Sequence, residues 1–334
     1  MAKSSDGLAW QTDGKVIIDQ ASVPEGVRLP DGRLIIYAVD GSGLGGPGLV
    51  YAESKDEGKS WTCGKVNIQG ADPDVVLLPD GKIRVYYVEF PFGPGQPPAD
   101  PAKTDKPNQI KSAISSDGKN FTVEEGVRLE GIAYTDPDVI RVGNEWFMYV
   151  STGTTAWAAR SDDGLAFKLI GKVNETGAVS GSYIFPDGTI RHYFCGKGGI
   201  ASAISAYGAS VWKEEAGVRL PFNPSFKSLC DPSVVSDGKG GYLMFYKIQP
   251  SSERPGSPPP GGQPTQPPPG GSLQPGNQIK VEPVKSAYKT TQAKRSGWFV
   301  TGQKADLMLS GIDFNKTGGP LLFNHPGGIA SDGT

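Results

Sequence analysis

Acidic residues recur in this sequence at similar positions beside proline. Asp72, Asp136 and Asp231 each precede a proline and a β-branched run, and Glu25 directly follows a proline. Two carboxyl groups across a gap are what hydrolysis of a glycosidic bond requires, one protonated as acid and one ionised as base or nucleophile. Clustered carboxyls also repel each other, which raises some of their pKa values. These four residues and Glu89 form the candidate catalytic set.

An Asp-Pro pair has a plainer interpretation at any single position. Proline fixes φ and aspartate caps the turn, so the pair can simply begin a strand. Three copies in register, with Glu25 in a fourth repeat, favour a functional site.

Further polar and aromatic residues form a candidate substrate-binding group. Asp74 and Asp138 follow two of the Asp-Pro pairs, Asp40 ends a predicted strand, and Phe90 and Trp157 carry rings suited to stacking on sugars. Exposed aromatic residues also cover sheet edges, and that alternative stays open for the two rings.

The candidate residues belong to a chain of repeats, which predicts where they lie. One repeated element is a Ser-x-Asp-Gly-x-x-aromatic turn, found at 4–10, 54–61, 115–121 and 161–167, with a degraded copy at 205–212. In such a turn the Ser and Asp oxygens accept backbone N–H groups, glycine takes the positive φ, and the aromatic ring packs between sheets. We therefore assign these aspartates a structural role.

The second repeated element is a strand, a tight turn and another strand. A β-branched or aromatic run joined by Pro-Asp-Gly or a glycine-rich turn is the signature of a hairpin. With an Asp-Gly turn linked to each hairpin about every 50 residues, the pattern predicts five four-stranded antiparallel sheets. Such sheets stack radially, so the predicted fold is all-β, a five-bladed β-propeller. The hairpins lie at 27–39, 75–88, 139–151, 182–195 and 234–247.

The propeller prediction brings the candidate residues to one rim of the central channel. The innermost strand of each blade begins at this rim, and Asp40 and Glu89 end second strands at the same face. Cys195 and Cys230 reach it on neighbouring blades, where they can form a disulfide. The aligned strand starts are 23–25, 72–74, 136–138, 179–181 and 231–233.

Composition divides the chain into four parts. Residues 1–249 hold the propeller, and 250–276, rich in proline and glycine, are predicted to be a disordered insertion. Residues 277–304 are expected to provide the closing strand of the last blade, with 277–290 as its third strand, and a linker. The N-terminus is expected to add the outer strand of that blade. Residues 305–334 form a partial C-terminal segment of different character.

Several of these segments resemble known propeller families. The run from Tyr134 through Asp136-Pro-Asp138 is similar to blade starts of five-bladed glycosidases of the arabinanase, xylosidase and fructosidase type. The turn at 54–61 is similar to the Asp-box, or BNR repeat, of sialidases. Residues 305–334 resemble the truncated start of an NHL-repeat propeller. The likeness to glycosidases covers roughly residues 1–249 and implies a glycoside hydrolase-like protein.

The sequence departs from both enzyme types. Arabinanase-type enzymes take their acid from a Glu that opens a later blade, whereas residues 178–181 read Ala-Val-Ser-Gly and Glu175 lies upstream. Sialidases need an Arg-Ile-Pro ahead of the first hairpin, whereas Arg28-Leu-Pro30 falls on it. The sequence thus predicts a propeller that binds or hydrolyses carbohydrate at its funnel. The alternative is a non-catalytic scaffold that binds a glycan or a protein.

Composition excludes several other classes. With 33 Lys and Arg against 35 Asp and Glu, the chain lacks the basic surface of a nucleic-acid binder, and no apolar run is long enough to span a membrane. Three cysteines and two histidines are too few for a metal cage or a His-based triad. We expect no metal or other cofactor, except that a structural cation would suit the channel carboxylates. We expect a monomer with a carbohydrate partner. No residue indicates a compartment, although an extracellular or periplasmic setting suits this function.

Overall fold

The protein is built entirely from β-strands in the part of the chain that can be described. The computed structural model describes residues 1–42, 48–89, 106–205 and 210–250. These residues form 22 strands and no helix, so none of them belongs to a helix that could cross a membrane.

The strands form five antiparallel sheets, which are the blades of a β-propeller. The first strands of the blades contact one another in ring order and surround the channel. Blade 1 contains β3 (Ala21–Arg28), β4 (Leu34–Asp40), β5 (Leu49–Ser54) and β6 (Thr62–Lys65); blade 2 contains β7 (Ala71–Leu77), β8 (Ile83–Glu89), β9 (Asn108–Ser115), β10 (Thr122–Val123) and the short β11 (Leu129–Gly131); blade 3 contains β12 (Thr135–Val142), β13 (Glu145–Thr152), β14 (Thr155–Ser161) and β15 (Lys168–Asn174). Blade 4 contains β16 (Gly177–Ile184), β17 (Ile190–Gly196), β18 (Gly199–Ser205), β19 (Lys213–Glu214) and the short β20 (Leu220–Pro221); blade 5 contains β21 (Phe226–Ser236) and β22 (Tyr242–Pro250), with β1 (Ala2–Ser4) and β2 (Gln11–Thr12).

The five-bladed, all-β prediction is confirmed, and the last blade shows how the ring closes. The N-terminal segment supplies two strands of blade 5 rather than one, because β1 pairs with β22 and β2 pairs with β1. The position of a third strand beside β22 is therefore taken by β1. The predicted strand at 277–290, and the assignments made for 250–276, 277–304 and 305–334, lie outside the described residues apart from Pro250.

Aromatic pairs join every blade to the next around the ring. In each pair, an aromatic ring on the second strand of one blade lies nearly edge-on to a ring of the next blade. This second ring ends the turn that follows the third strand of its blade. This geometry is the preferred one for aromatic contacts and adds to the free energy of burying the rings. The pairs and their centroid separations are Tyr37–Phe121 at 5.7 Å, Tyr86–Phe167 at 6.1 Å, Tyr149–Trp212 at 5.2 Å, Tyr193–Trp10 at 5.7 Å and Phe245–Trp61 at 6.0 Å.

Three of these pairs are reinforced by a hydrogen bond from the tyrosine hydroxyl. Tyr86 donates to the carbonyl of Gly164 at 2.9 Å, and Tyr37 and Tyr193 make the same bond to the equivalent glycines of their neighbouring blades. Gly164 has a φ of +73°, and a Cβ there would lie 2.8 Å from the Trp146 ring. Glycine is therefore required by the backbone and by the close approach of Trp146 in its own blade and of the Tyr86 hydroxyl, 3.0 Å from such a Cβ, in the neighbouring blade.

The Ser-Asp-Gly turns lie at the rim opposite the starts of the innermost strands. Each turn follows a third strand, which runs in the same direction as the first. In the turn at 161–167, Asp163 accepts the Ser161 hydroxyl and two backbone N–H groups. The turn aspartates are thus used in local hydrogen bonds, on the face of the ring away from the candidate site.

Replacing Tyr86 by Phe tests the contribution of the inter-blade hydrogen bond. The change leaves the buried Gly164 carbonyl without this donor, which costs about 1–3 kcal/mol in free energy of unfolding. Urea unfolding of both proteins measures the difference. The matched control is Tyr51→Phe, because Tyr51 is a half-buried residue on the third strand of blade 1. This change should alter the free energy of unfolding by less than about 0.5 kcal/mol. Equal stabilities of the Tyr86 variant and the wild type would contradict the assignment.

Candidate functional site

All five innermost strands carry a bulge near the rim where they begin, which we call the entrance rim. The pairing register with the second strand shifts by one residue at the same place in each blade. One residue of each bulge has a positive φ, which costs about 1–3 kcal/mol for a residue other than glycine. These residues are Val23 at 50°, Asp72 at 48°, Asp136 at 49°, Val179 at 58° and Asp231 at 53°.

The bulge does not by itself explain its three aspartates. Blades 1 and 4 form the same bulge with Val23 and Val179, although a β-branched side chain is the least suited to a positive φ. A carboxylate is therefore not needed for the backbone conformation. Bulges often direct side chains beside functional sites, and here they direct Asp72, Asp136 and Asp231, which we call the entrance carboxylates.

The entrance carboxylates lie together and are almost closed to solvent. Asp72 is 0% exposed, and Asp136 and Asp231 are each 4% exposed. The backbone N–H of Asp136 donates to Asp72 Oδ2 at 3.4 Å. Burial, followed by the charge of Asp136, raises the pKa of Asp72 well above its ordinary value. The structure thus brings together three of the five predicted catalytic residues.

Lys247 is a charged partner of this group that the sequence analysis missed. Its Nζ lies 2.6 Å from Asp231 Oδ2, and both side chains are more than nine-tenths buried. Lys247 lies on β22 in register with Cys230, directly before Asp231. In the sequence, the feature that could have indicated this residue is a lysine within the otherwise apolar run from Tyr242 to Ile248. The lysine supplies a counter-charge to one entrance carboxylate.

Glu25, Asp74 and Asp138 form a second group, the inner carboxylates, two residues further along their strands. Burial raises the pKa of all three; the charge of Asp138 adds to the shift of Glu25, and the charges of Glu25 and then Asp138 add to that of Asp74. Glu25, predicted to be catalytic, therefore lies with the inner group and not with the entrance carboxylates.

The inner group also connects neighbouring blades. The Ser182 N–H donates to Asp138 Oδ1 at 3.0 Å, and the Gly26 N–H donates to Ser233 Oγ at 2.9 Å. The Val139 N–H makes the equivalent bond to Asp74. These bonds give Asp74 and Asp138, predicted to bind substrate, a clear role in holding the ring together.

The remaining predicted site residues make contacts elsewhere. Asp40 accepts Lys65 Nζ at 3.0 Å, and the carboxylate of Glu89 accepts Lys111 Nζ at 2.6 Å, in each case within its own blade. The Trp157 indole N–H donates to the Thr152 hydroxyl. Glu175, which lies upstream of the position where arabinanase-type enzymes carry their acid, is 65% exposed and pairs with Lys172. Phe90 lies outside the described residues.

A disulfide joins blades 4 and 5 beside the entrance carboxylates. Cys195 and Cys230, which were expected at the same rim on neighbouring blades, form a disulfide with their Cα atoms 5.1 Å apart. The Asp231 N–H donates to Cys195 Sγ at 3.3 Å. Among the described residues, these cysteines and Asp231 are the one group with the spacing of metal ligands, and the disulfide uses both thiols.

A chain of hydrogen bonds runs from Asp138 into blade 4. Ser182 Oγ lies 2.6 Å from Asp138 Oδ2 and 2.6 Å from His192 Nδ1, and His192 Nε2 lies 2.7 Å from Ser205 Oγ. His192 is 0% exposed and stacks on Trp212 with a centroid separation of 4.2 Å. Burial lowers its pKa to about 3.

The protein shares its architecture with several solved structures. A protein of unknown function from Dyadobacter fermentans has a TM-score of 0.52 and 18% identity, over 75% of this chain and 79% of that one. A family 32 β-fructofuranosidase from Bombyx mori, in complex with sucrose, has a TM-score of 0.51 and 12% identity, over 70% and 56%. A family 117 glycoside hydrolase from Zobellia galactanivorans has a TM-score of 0.49 and 14% identity, over 71% and 79%.

The two likenesses with a TM-score above 0.5 support the β-propeller fold. At such identities they establish the fold alone. No protein family matches the sequence, and no curated protein does.

The inner carboxylates predict how stability depends on pH. A carboxyl whose pKa is raised by folding stabilises the protein below its unfolded pKa, about 3.9 for Asp, and this contribution is lost as the pH rises through the folded pKa. Asp74→Asn removes one such group and keeps an acceptor oxygen for Val139. We expect its free energy of unfolding, relative to wild type, to rise between pH 4 and pH 8.

Urea unfolding at several pH values measures this dependence. The matched control is Asp80→Asn, at an exposed turn of the same blade, where Lys82 lowers the pKa of Asp80. Its difference from wild type should stay constant above about pH 5. A constant difference for Asp74→Asn would show that this carboxyl is not held protonated.

The environment of His192 predicts a neutral imidazole over the physiological pH range. Because its pKa is lowered to about 3, the ring should bind no second proton between pH 8 and pH 5. The nitrogen chemical shifts of the ring, measured by NMR, should stay constant over this range. The same histidine in urea-unfolded protein should titrate near its ordinary pKa of about 6.5. Titration near that value in the folded protein would contradict the buried position.

Proposed function

We propose that the entrance carboxylates form a carbohydrate site and hydrolyse a glycosidic bond. The observation that carries this proposal is the difference between two equivalent aspartates. Asp72 has a pKa raised by burial and by Asp136, whereas Asp231 is paired with Lys247. Carboxyl groups whose surroundings favour opposite protonation states are the usual arrangement for acid and base roles.

The protonated group is Asp72 in this mechanism. It donates its proton to the glycosidic oxygen while the bond from that oxygen to the anomeric carbon breaks. An ionised entrance carboxylate stabilises the positive charge that develops on the anomeric carbon. Water then adds to this carbon, and a proton from this water returns to the carboxyl groups, which restores the site. The products are a free sugar and an alcohol.

The alternative is a propeller that binds a glycan or a protein without turnover. Two observations favour it. The entrance carboxylates are at most 4% exposed, and the bulge of blade 4 carries Val179 with Glu175 facing solvent. In this alternative the buried carboxyls serve the ring itself. Measuring turnover separates the two functions.

The test is hydrolysis of aryl glycosides and of plant and bacterial oligosaccharides by the full chain. We expect Asp72→Asn to lower kcat by about 10²- to 10⁴-fold, because the proton donor is lost, with sugar binding retained. Asp136→Asn should also lower kcat. The matched control is Asp187→Asn, an exposed turn residue at the opposite rim, which should hydrolyse as wild type does.

Two results would decide against the hydrolase, and a third would decide against the role of Asp72. Glycan binding without turnover by the wild type would establish the scaffold, and the absence of both would overturn the carbohydrate site. Turnover unchanged in Asp72→Asn would remove this residue from the mechanism.

The raised pKa of Asp72 also predicts how activity depends on pH. The value of kcat/KM should fall as the pH rises through that pKa, because Asp72 loses its proton.

A further inference from the structure

A large cavity lies between blades 5 and 1. Its volume is about 860 Å³, within the range of small-molecule sites. The segment between β2 and β3 forms one side, and the connection before β21 forms another. Strands β4 and β22 close its inner end.

The walls of this cavity are mainly apolar. Ile36 and Ala38 line it from blade 1, Phe245 and Leu229 from blade 5, and Ile17 from the connecting segment. Ile36, Ala38 and Phe245 are each at most 2% exposed. These side chains offer contacts to an aromatic or alkyl group and no hydrogen bonds to a sugar.

The polar end of the cavity adjoins the entrance carboxylates. Lys247 lines the cavity, and its Nζ is the atom that lies 2.6 Å from Asp231. Ser22, which directly precedes the bulge residue of blade 1, also lines it. Ser22 is 5% exposed, and its buried hydroxyl oxygen has no hydrogen-bond partner. An unpartnered buried hydroxyl is unfavourable, and a ligand oxygen at this point would relieve it.

We propose that the cavity is the site of an apolar leaving group. The substrates are then glycosides of aromatic or other hydrophobic alcohols, with the sugar at the entrance carboxylates, the alcohol between blades 5 and 1, and Ser22 donating to an oxygen of the alcohol. This inference rests on the proposed hydrolysis and adds the substrate class. It places the bond to be cleaved beside Lys247, which lines the cavity and pairs with Asp231.

Cavity-filling variants of the full chain test this assignment. Ala38→Leu adds three carbons to the apolar wall, and Ser22→Ala removes the unpartnered hydroxyl. The readout is the ratio of kcat/KM for a 2-naphthyl glycoside to that for the methyl glycoside, using the sugar that the wild type hydrolyses best. Partial misfolding lowers both values equally and leaves this ratio unchanged.

We expect Ala38→Leu to lower this ratio roughly tenfold relative to the wild type, the scale of a steric change in an apolar pocket. Ser22→Ala should lower it by a smaller factor. Ser228→Ala is the matched control, because Ser228 is also buried with an unpartnered hydroxyl but does not line the cavity. Its ratio should equal that of the wild type.

The outcomes separate this inference from the proposed function. Hydrolysis by the wild type with an unchanged ratio in Ala38→Leu and Ser22→Ala would overturn the leaving-group site and keep the glycosidase. Equal kcat/KM for naphthyl and methyl glycosides in the wild type would do the same. Binding of 2-naphthol alone, lost in Ala38→Leu but kept in Asp72→Asn, would support the cavity assignment. No hydrolysis of any glycoside would overturn both.

Discussion

Contact between neighbouring blades is the constraint on which the rest of this structure depends. A four-stranded sheet has two faces to cover, and each blade covers them only against the blades on either side. The edge-on aromatic pairs repeat at all five junctions, including the junction from blade 5 to blade 1. The ring therefore has no terminal blade. A channel with fixed walls exists only because the last junction is made in the same way as the others.

The two groups of carboxylates are a consequence of that ring. Five innermost strands approach one axis, so acidic side chains at equivalent positions must lie near each other and be enclosed together. The inner group is satisfied by serine hydroxyls and backbone N–H groups, as with Asp138, which accepts the hydroxyl and the N–H of Ser182 in the adjacent blade. The entrance group has fewer such bonds and includes the ion pair of Asp231 with Lys247. The fold thus provides two different environments for the same residue type within one strand.

The sequence predicts the repeats and the shared rim well, because both follow from local patterns. Turn residues and period-two runs mark each hairpin, and equivalent strand starts of a propeller meet at one end. The bulge is less predictable, since it interrupts the alternation from which side-chain direction is inferred. For this reason the grouping of Glu25 with Asp74 and Asp138 did not follow from the sequence. The contact of Lys247 depends on the register of β22 with β21, and the contacts of Asp40 and Glu89 depend on lysines that reach them from other strands of their own blades.

The pairing of β1 with β22 has a consequence for how the protein is made. The hydroxyls of Thr12 and Tyr246 lie 2.6 Å apart although 234 residues separate them in the chain. At ordinary rates of synthesis, the first strands wait roughly 10–50 s before their partner leaves the ribosome. Until then the outer strands of blade 5, β1 and β2, have no inner strands to pair with, and the earlier blades form an open arc with an exposed end. Contacts this distant in sequence also slow folding itself. The nascent chain therefore passes through a period in which binding by a chaperone, or pairing with another chain at that open edge, competes with closure of the ring.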